Sequence, residues 1–372
     1  MKLKVTTVIG TRPELIRMAK ILSKFDEQFE HRIIHTGQNS GDELRDVFFR
    51  DLNIREPDLQ FDMRAKNLGT SLACLFEIMG EEFLKNKPDA LVILGDTNSA
   101  LCGILAKRAG IPFYHLEAGL RSFDKNVPEE INRRIIDHTA DFNMVYTEHA
   151  RRNLLNEGLH PRTISLIGSP MREVLEANSK AISKSKILEQ IGISQKSFYL
   201  VSLHRQENVD NIKRLKNILD SIEDLATQTQ LPVMFSTHPR TRDRINELGF
   251  KTSNKINFHE PFGFNDYCKL QLESKMVLSD SGSISEEASI LGFKAITLRD
   301  SMERPEALDT GSIVMSGANS TRLVDSVKFI EASPLAANMP DEYKITDTSE
   351  RVIKFILSTI SEYNFWFGIR NN

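Results

Sequence analysis

Cysteine is scarce in this chain of 372 residues: Cys74, Cys102 and Cys268 stand far apart and lack metal-ligand spacing. That excludes a disulfide framework and a cysteine-built metal site, and it leaves the thiols as reduced packing residues of a cytoplasmic protein. Long apolar runs are missing too, so no segment reads as a membrane-spanning helix. Charge of one sign is not in excess, because 48 basic against 51 acidic residues leave a net −3, and no basic tail or stripe offers itself to nucleic acid. The first ten residues lack the apolar region and small-residue cleavage site of a signal peptide and read as a strand. No internal repeat, low-complexity tract or membrane-surface helix is found.

What is present is alternation. Apolar, β-branched runs at 5–9, 31–36, 90–94, 112–116, 143–146 and 164–167 each end in a small or polar residue, and helical periodicity fills the gaps. Near-continuous apolar strands separated by helices predict a parallel sheet covered on both faces. A second alternation starts at 198–204 and continues through 232–238, 255–258, 275–278 and 294–298. The length suits two domains. They are expected at 1–170 and 171–372, with the polar stretch 179–185 following the boundary and a last helix, about 349–363, crossing back to the first domain. The predicted class is α/β, GT-B-like: two doubly wound Rossmann-type domains facing one another across a cleft.

Ligands of open parallel sheets bind beyond the carboxyl ends of the strands, so residues just after each run are the candidates. The most telling stretch is Ser279-Asp280-Ser281-Gly282-Ser283, which turns a buried strand into a helix near Ile284. Free N–H groups and hydroxyls there suit a diphosphate, and Glu286 or Glu287 suits the ribose hydroxyls. An ordinary helix cap has the same composition. Asp96 and Glu117 end adjacent runs; each is also where a cap would stand, but two carboxylates on one rim are equipment for moving a proton. Pro128-Glu129-Glu130 is first a good helix start, which accounts for Glu130 and leaves Glu129 as a candidate. His204, beside Arg205, is the histidine best placed for a diphosphate or a proton; His238, before Pro239, is a weaker second. Glu303-Arg304-Pro305-Glu306 reads either as a buried ion pair or as a ribose and phosphate holder.

Taken in order, Gly10-Thr11-Arg12-Pro13-Glu14, His35-Thr36-Gly37-Gln38, Gly95-Asp96-Thr97, Glu117-Ala118-Gly119-Leu120-Arg121, Pro128-Glu129-Glu130, Thr147-Glu148, His204-Arg205, Asp280-Ser281-Gly282, Glu286-Glu287 and Glu303-Arg304-Pro305-Glu306 resemble the non-hydrolysing UDP-N-acetylglucosamine 2-epimerase family. The resemblance runs along nearly the whole chain. It implies a UDP-sugar substrate, a homodimer, no cofactor and no metal. It also implies a mechanism in which C2 loses its proton, UDP leaves C1 to give a 2-acetamidoglycal, and UDP re-adds after reprotonation on the other face. By motif it implies Asp96, Glu117, Glu129 and His204 as catalytic, with Arg17 beside them where the common enzymes carry lysine. Arg12, Tyr267, Ser281, Gly282, Ser283 and Glu287 are implied to bind UDP, Tyr267 by stacking on uracil. Asn39 stands where a histidine usually follows the glutamine, which puts allosteric activation by substrate in doubt.

Gly168-Ser169-Pro170-Met171, His204-Arg205-Gln206-Glu207-Asn208 and residues 261–267 resemble the capsule and O-antigen branch, which converts UDP-2-acetamido-2,6-dideoxy-L-talose to UDP-N-acetyl-L-fucosamine. UDP-N-acetylglucosamine 2-epimerisation is the nearest rival. A retaining GT-B glycosyltransferase and a catalytically silent nucleotide-sugar sensor are the others, and the clustered acids argue against both.

Overall fold

The structure, a computed structural model, describes residues 2–38, 42–250, 252–333 and 338–370; Asn39 lies outside the described residues. The chain forms two compact units, Met1–Glu176 together with Ile345–Asn372, and Ala177–Lys344. The division falls inside the helix Met171–Lys184 and not at Pro170. The polar stretch around 179–185, expected to follow the boundary, is mostly the end of that helix. Its buried Val174, Leu175 and Ile182 supply the apolar face that serine and lysine content had obscured.

The first unit holds a seven-stranded sheet in the order β3-β2-β1-β4-β5-β6-β7, built from β1 (Lys4–Ile9), β2 (Glu30–His35), β3 (Leu59–Gln60), β4 (Ala90–Leu94), β5 (Phe113–Leu116), β6 (Phe142–Val145) and β7 (Ile164–Leu166). Every pairing is parallel. The central strands are buried along their length, as covering both faces requires. Residues 345–372 join this unit through the helix Thr348–Thr359. Val352 and Ile356 are buried, Phe355 packs edge-on to Tyr114 and Phe142, and the Thr359 hydroxyl lies 2.8 Å from that of Tyr114. The helix stops at Thr359, four residues short of the sequence expectation, and Tyr363 opens a separate turn, Tyr363–Trp366.

The second unit repeats the plan with six strands in the order β10-β9-β8-β11-β12-β13: β8 (Tyr199–Leu203), β9 (Val233–Thr237), β10 (Ile256–His259), β11 (Met276–Ser279), β12 (Ala295–Thr297) and β13 (Val314–Met315). All are parallel. Tyr199, Val201, Phe235, Leu278 and Ile296 pack one side with Leu215, Leu219 and Ile222 of the helix Ile212–Thr229. Each sheet reverses its order once, at β1/β4 and at β8/β11, and those reversals are where α/β sheets open a crevice.

Candidate active site

In the first unit the reversal point is lined by the ends of β1, β4 and β5. Gly10 follows β1 with its side near the β4 corner: a Cβ there would lie 2.0 Å from Ser99 Oγ and 2.7 Å from Thr36 Oγ1, so only glycine fits. The chain then enters the helix Arg12–Gln28. Arg12 lies with its guanidinium 5.2 Å from the Phe48 ring centroid, and Arg17, one turn later, pairs with Glu117 at 3.7 Å. Both partners in that pair are at least nine-tenths buried as side chains, which makes the pairing necessary.

Asp96 follows Gly95 after β4. It does not cap the next short helix; its Oδ2 accepts from Arg133 Nε at 2.6 Å. Asn132 donates to the Asp96 backbone carbonyl at 2.9 Å. Glu117 follows β5 and caps no helix either, because the chain runs on as loop to Pro128. Its φ is +65°, a conformation that costs a residue with a Cβ about 1 kcal/mol and that the surroundings must hold. The helix Pro128–Thr139 brings Glu129 and Arg133 one turn apart. Glu129 is half-buried and makes no ion pair among the described residues. Glu130 is buried, accepts from the Ser122 N–H at 2.9 Å and pairs with Arg133 and Arg134, so it clasps the loop that precedes it.

One residue of this corner was not singled out from sequence. Glu14 is buried, and its carboxylate accepts from the N–H groups of Gly10 (2.6 Å) and Thr11 (2.8 Å) and from the Thr97 hydroxyl (2.6 Å). Burial pushes its carboxyl up to about 7, against the pull of those three donors and with a smaller push from the Asp96 charge. Thr11-Arg12-Pro13-Glu14 has capping-box spacing, and that was the available signal. The spacing gives the reach back to Thr11 but not the partner 83 residues away.

In the second unit the reversal point joins the ends of β8 and β11. Asp280 is fully buried and is the anchor: its carboxylate accepts from the N–H groups of His204 (3.1 Å) and Arg205 (3.1 Å) and from Asn208 Nδ2 (3.0 Å), with His204 Nδ1 at 3.3 Å. The imidazole of His204 keeps about a third of its surface exposed. The serine turn differs from expectation in one respect. The N–H groups of Ser281 and Ser283 are already satisfied by Ser279 Oγ (3.0 Å) and Ser281 Oγ (3.3 Å), because small hydroxylated residues bond locally. The helix does begin at Ile284. Gly282 lies against Arg205, Arg304 and Glu303, whose charged ends would stand 3.0, 3.3 and 3.4 Å from a Cβ there.

Glu286 is committed elsewhere, to Arg304 at 3.1 Å, and Arg304 also donates to the Gly282 carbonyl. Glu287 accepts from Gln271 at 2.6 Å. Tyr267 places its hydroxyl 2.9 Å from Ser202 Oγ, which bonds Ser279 in turn. Glu303 pairs with Arg299 at 2.9 Å, and Glu306 meets the Tyr343 hydroxyl at 2.6 Å through one oxygen while its other, Oε2, is buried without a hydrogen-bond partner among the described residues. His238 caps the helix Pro239–Leu248. Among the described residues no three His, Cys, Asp or Glu side chains converge as a metal site, and no helix is long and apolar enough to cross a membrane.

The structure thus gathers Arg17, Asp96 and Glu117 at one strand-end corner with Glu129 one turn from Arg133, and His204, Tyr267, Ser281, Gly282 and Ser283 at the other. Arg12 belongs to the first group.

Residues 23–357 match the family model described as UDP-N-acetylglucosamine 2-epimerase. A solved structure of a UDP-N-acetylglucosamine 2-epimerase from Rickettsia bellii is 41% identical, with a TM-score of 0.90 over 99% of this chain and 100% of that one. The Methanocaldococcus jannaschii UDP-GlcNAc 2-epimerase, solved with UDP-GlcNAc and UDP, is 33% identical with a TM-score of 0.91 over 96% of this chain and 100% of that one. A UDP-2,3-diacetamido-2,3-dideoxy-D-glucuronate 2-epimerase from Pseudomonas aeruginosa is 34% identical over 88% of this chain and 92% of its own. The two parallel sheets are those of a GT-B-like fold, and with a family match along most of its length the chain belongs to the non-hydrolysing UDP-N-acetylglucosamine 2-epimerase family and is a UDP-sugar 2-epimerase.

Proposed function

We propose that the protein inverts C2 of UDP-2-acetamido-2,6-dideoxy-L-talose to give UDP-N-acetyl-L-fucosamine, for capsule or O-antigen precursor synthesis, and that it works as a homodimer. The observation that carries the chemistry is the corner where Asp96 and Glu117, on neighbouring strand ends, each face a guanidinium. A carboxylate takes the C2 proton as the C1–O bond breaks, releasing UDP and leaving a C1=C2 glycal. A carboxyl group then returns a proton to the opposite face of C2 while the diphosphate oxygen re-forms its bond to C1. The guanidiniums of Arg17 and Arg133 hold the two carboxylates in place and balance their charge, and Arg205, His204 and the serine turn suit the charge that grows on the departing diphosphate. Glu129 is assigned to the same proton chemistry. Tyr267, Ser281, Gly282, Ser283, Glu287 and Arg12 are assigned to UDP.

The choice of sugar rests on the 168–171, 204–208 and 261–267 motifs and on Arg17, whose planar fork differs from the point charge of a lysine. UDP-N-acetylglucosamine is the second reading, favoured by the names of the R. bellii and M. jannaschii relatives. Proton NMR in deuterated buffer with each sugar decides between them. Inversion with C2 deuterium on the 6-deoxy sugar alone supports the first, the same signal on UDP-N-acetylglucosamine moves the assignment, and no exchange on either refutes both. Light scattering should give twice the 42.3 kDa chain mass.

A further inference from the structure

Three left-handed residues cluster at the active corner of the first unit: Gly95 (φ +82°), Glu117 (φ +65°) and Gly119 (φ +79°). They place the two carboxylates, and none of the three conformations is held by a regular helix or strand. One buried pair of side chains touches both corners. Asp137, in the helix Pro128–Thr139, has no exposed surface, and its two oxygens each lie 3.2 Å from the Gly119 N–H. The same carboxylate accepts from Arg121 Nη1 at 2.6 Å, and it meets His115 Nδ1 at 2.9 Å. The other ring nitrogen of His115, Nε2, donates to the Gly95 carbonyl at 2.8 Å. A carbonyl only accepts, so this bond fixes the imidazole's orientation.

The geometry points to Asp137 and His115 as positioning residues for the epimerisation. Together they form a strap that sets the Gly95-Asp96 corner and the Glu117-Ala118-Gly119 corner at a fixed spacing, without touching substrate. Gly119, whose N–H the strap holds, has no space for a side chain, because a Cβ would fall 2.3 Å from the Ala150 carbonyl oxygen in the helix Glu148–Asn156. Arg121 extends the anchor to Glu157 with two bonds of 2.8 and 2.6 Å, which explains why a guanidinium is fully buried here. Two carboxylates that must act on opposite faces of one carbon need their separation held closely, and a shift of about 1 Å costs on the order of 100-fold in rate. The pair supplies that constraint from behind the site.

The inference deepens the proposed epimerase reading and rests on it for its catalytic half, so the test has two readouts. Asp137→Asn and His115→Gln are compared with Asp141→Asn. Asp141 is a buried acid at the opposite end of β5, bonded to the Phe113 N–H at 2.9 Å and paired with Lys107, and it reaches neither corner. In amide hydrogen exchange, both strap variants should exchange faster in peptides covering 94–98 and 117–121, while Asp141→Asn loosens only the start of β5. Per UDP-binding site, the strap variants should lose about 10- to 100-fold in kcat with KM within about threefold, and the double variant should be no worse than the poorer single one. Unchanged exchange at either corner, or a turnover loss matched by Asp141→Asn, overturns the proposal. A wild-type protein inactive on both sugars refutes the substrate reading, and the exchange data still decide the strap.

Discussion

Replacing Glu14 by glutamine gives the cleanest test of the electrostatics of the first unit. The substitution is nearly isosteric and keeps the three hydrogen bonds: the amide oxygen accepts from Gly10 and Thr11, and the amide nitrogen donates to the Thr97 hydroxyl. It removes only the titration. In the folded protein the Glu14 carboxyl sits at about 7, against 4.5 ordinarily, because burial penalises the charge more than its three donors relieve it. Below pH 4.5 the carboxyl is protonated both folded and unfolded, and glutamate costs nothing. Between 4.5 and 7 the unfolded chain ionises and the folded one does not, so wild-type stability falls as pH rises. At ~1.36 kcal/mol per pH unit the loss reaches about 3 kcal/mol and then levels off above 7.

For a unit of this size that amounts to about 5–10 °C in Tm, so the glutamine variant should gain that much on the wild type between pH 4.5 and pH 8. Paired scanning calorimetry across this range reads the difference directly, with the unaffected second unit as an internal reference. A Tm difference that stays flat with pH would show that Glu14 ionises normally, and the account of this corner as a desolvated site would be wrong.

Asp96→Asn should leave UDP affinity within about threefold by titration calorimetry while lowering turnover by ~100-fold or more; surviving turnover would remove Asp96 from the chemistry. Asp280→Asn keeps one acceptor where a carboxylate held three donors. It should cost the second unit about 1–3 kcal/mol in denaturant unfolding and weaken UDP binding by releasing His204 and Arg205, and unchanged binding would separate His204 from the diphosphate. Gly10→Ala should destabilise the first unit by about 1–3 kcal/mol, and adding Ser99→Gly should recover part of the loss, since the Thr36 hydroxyl still stands 2.7 Å from the new Cβ; no recovery would mean the clash is not with Ser99.

The strands that build the two corners were readable because both faces of each sheet are covered, leaving unbroken apolar runs with a polar residue at the exit. The two-residue strands β3 and β13 were not, since pairing at a sheet edge needs a neighbour more than a pattern of its own. Asp96, Glu117 and His204 could be named from their place after those runs. Their partners could not: Arg133 lies 37 residues beyond Asp96, and Asp280 lies 76 beyond His204. The left-handed turn at Glu117 carries no local signal at all, because nothing about a glutamate announces it. Glu14 offered only the spacing of a capping box, which accounts for its bond to the Thr11 N–H but not for the one to Thr97.

The first unit draws on two stretches of chain separated by the whole of the second, with the helix Thr348–Thr359 packed against Tyr114 and Phe142 and the Thr348 hydroxyl donating to the Ile167 and Ser169 carbonyls. During synthesis, then, the later-made unit can complete its core first. The earlier-made one waits on the ribosome with an apolar flank of its sheet uncovered until residue 359 has emerged. A chain cut after residue 344 would carry the whole second unit and a first unit whose flank at Tyr114 and Phe142 has lost its cover, and it is that older half that a chaperone would have to shield.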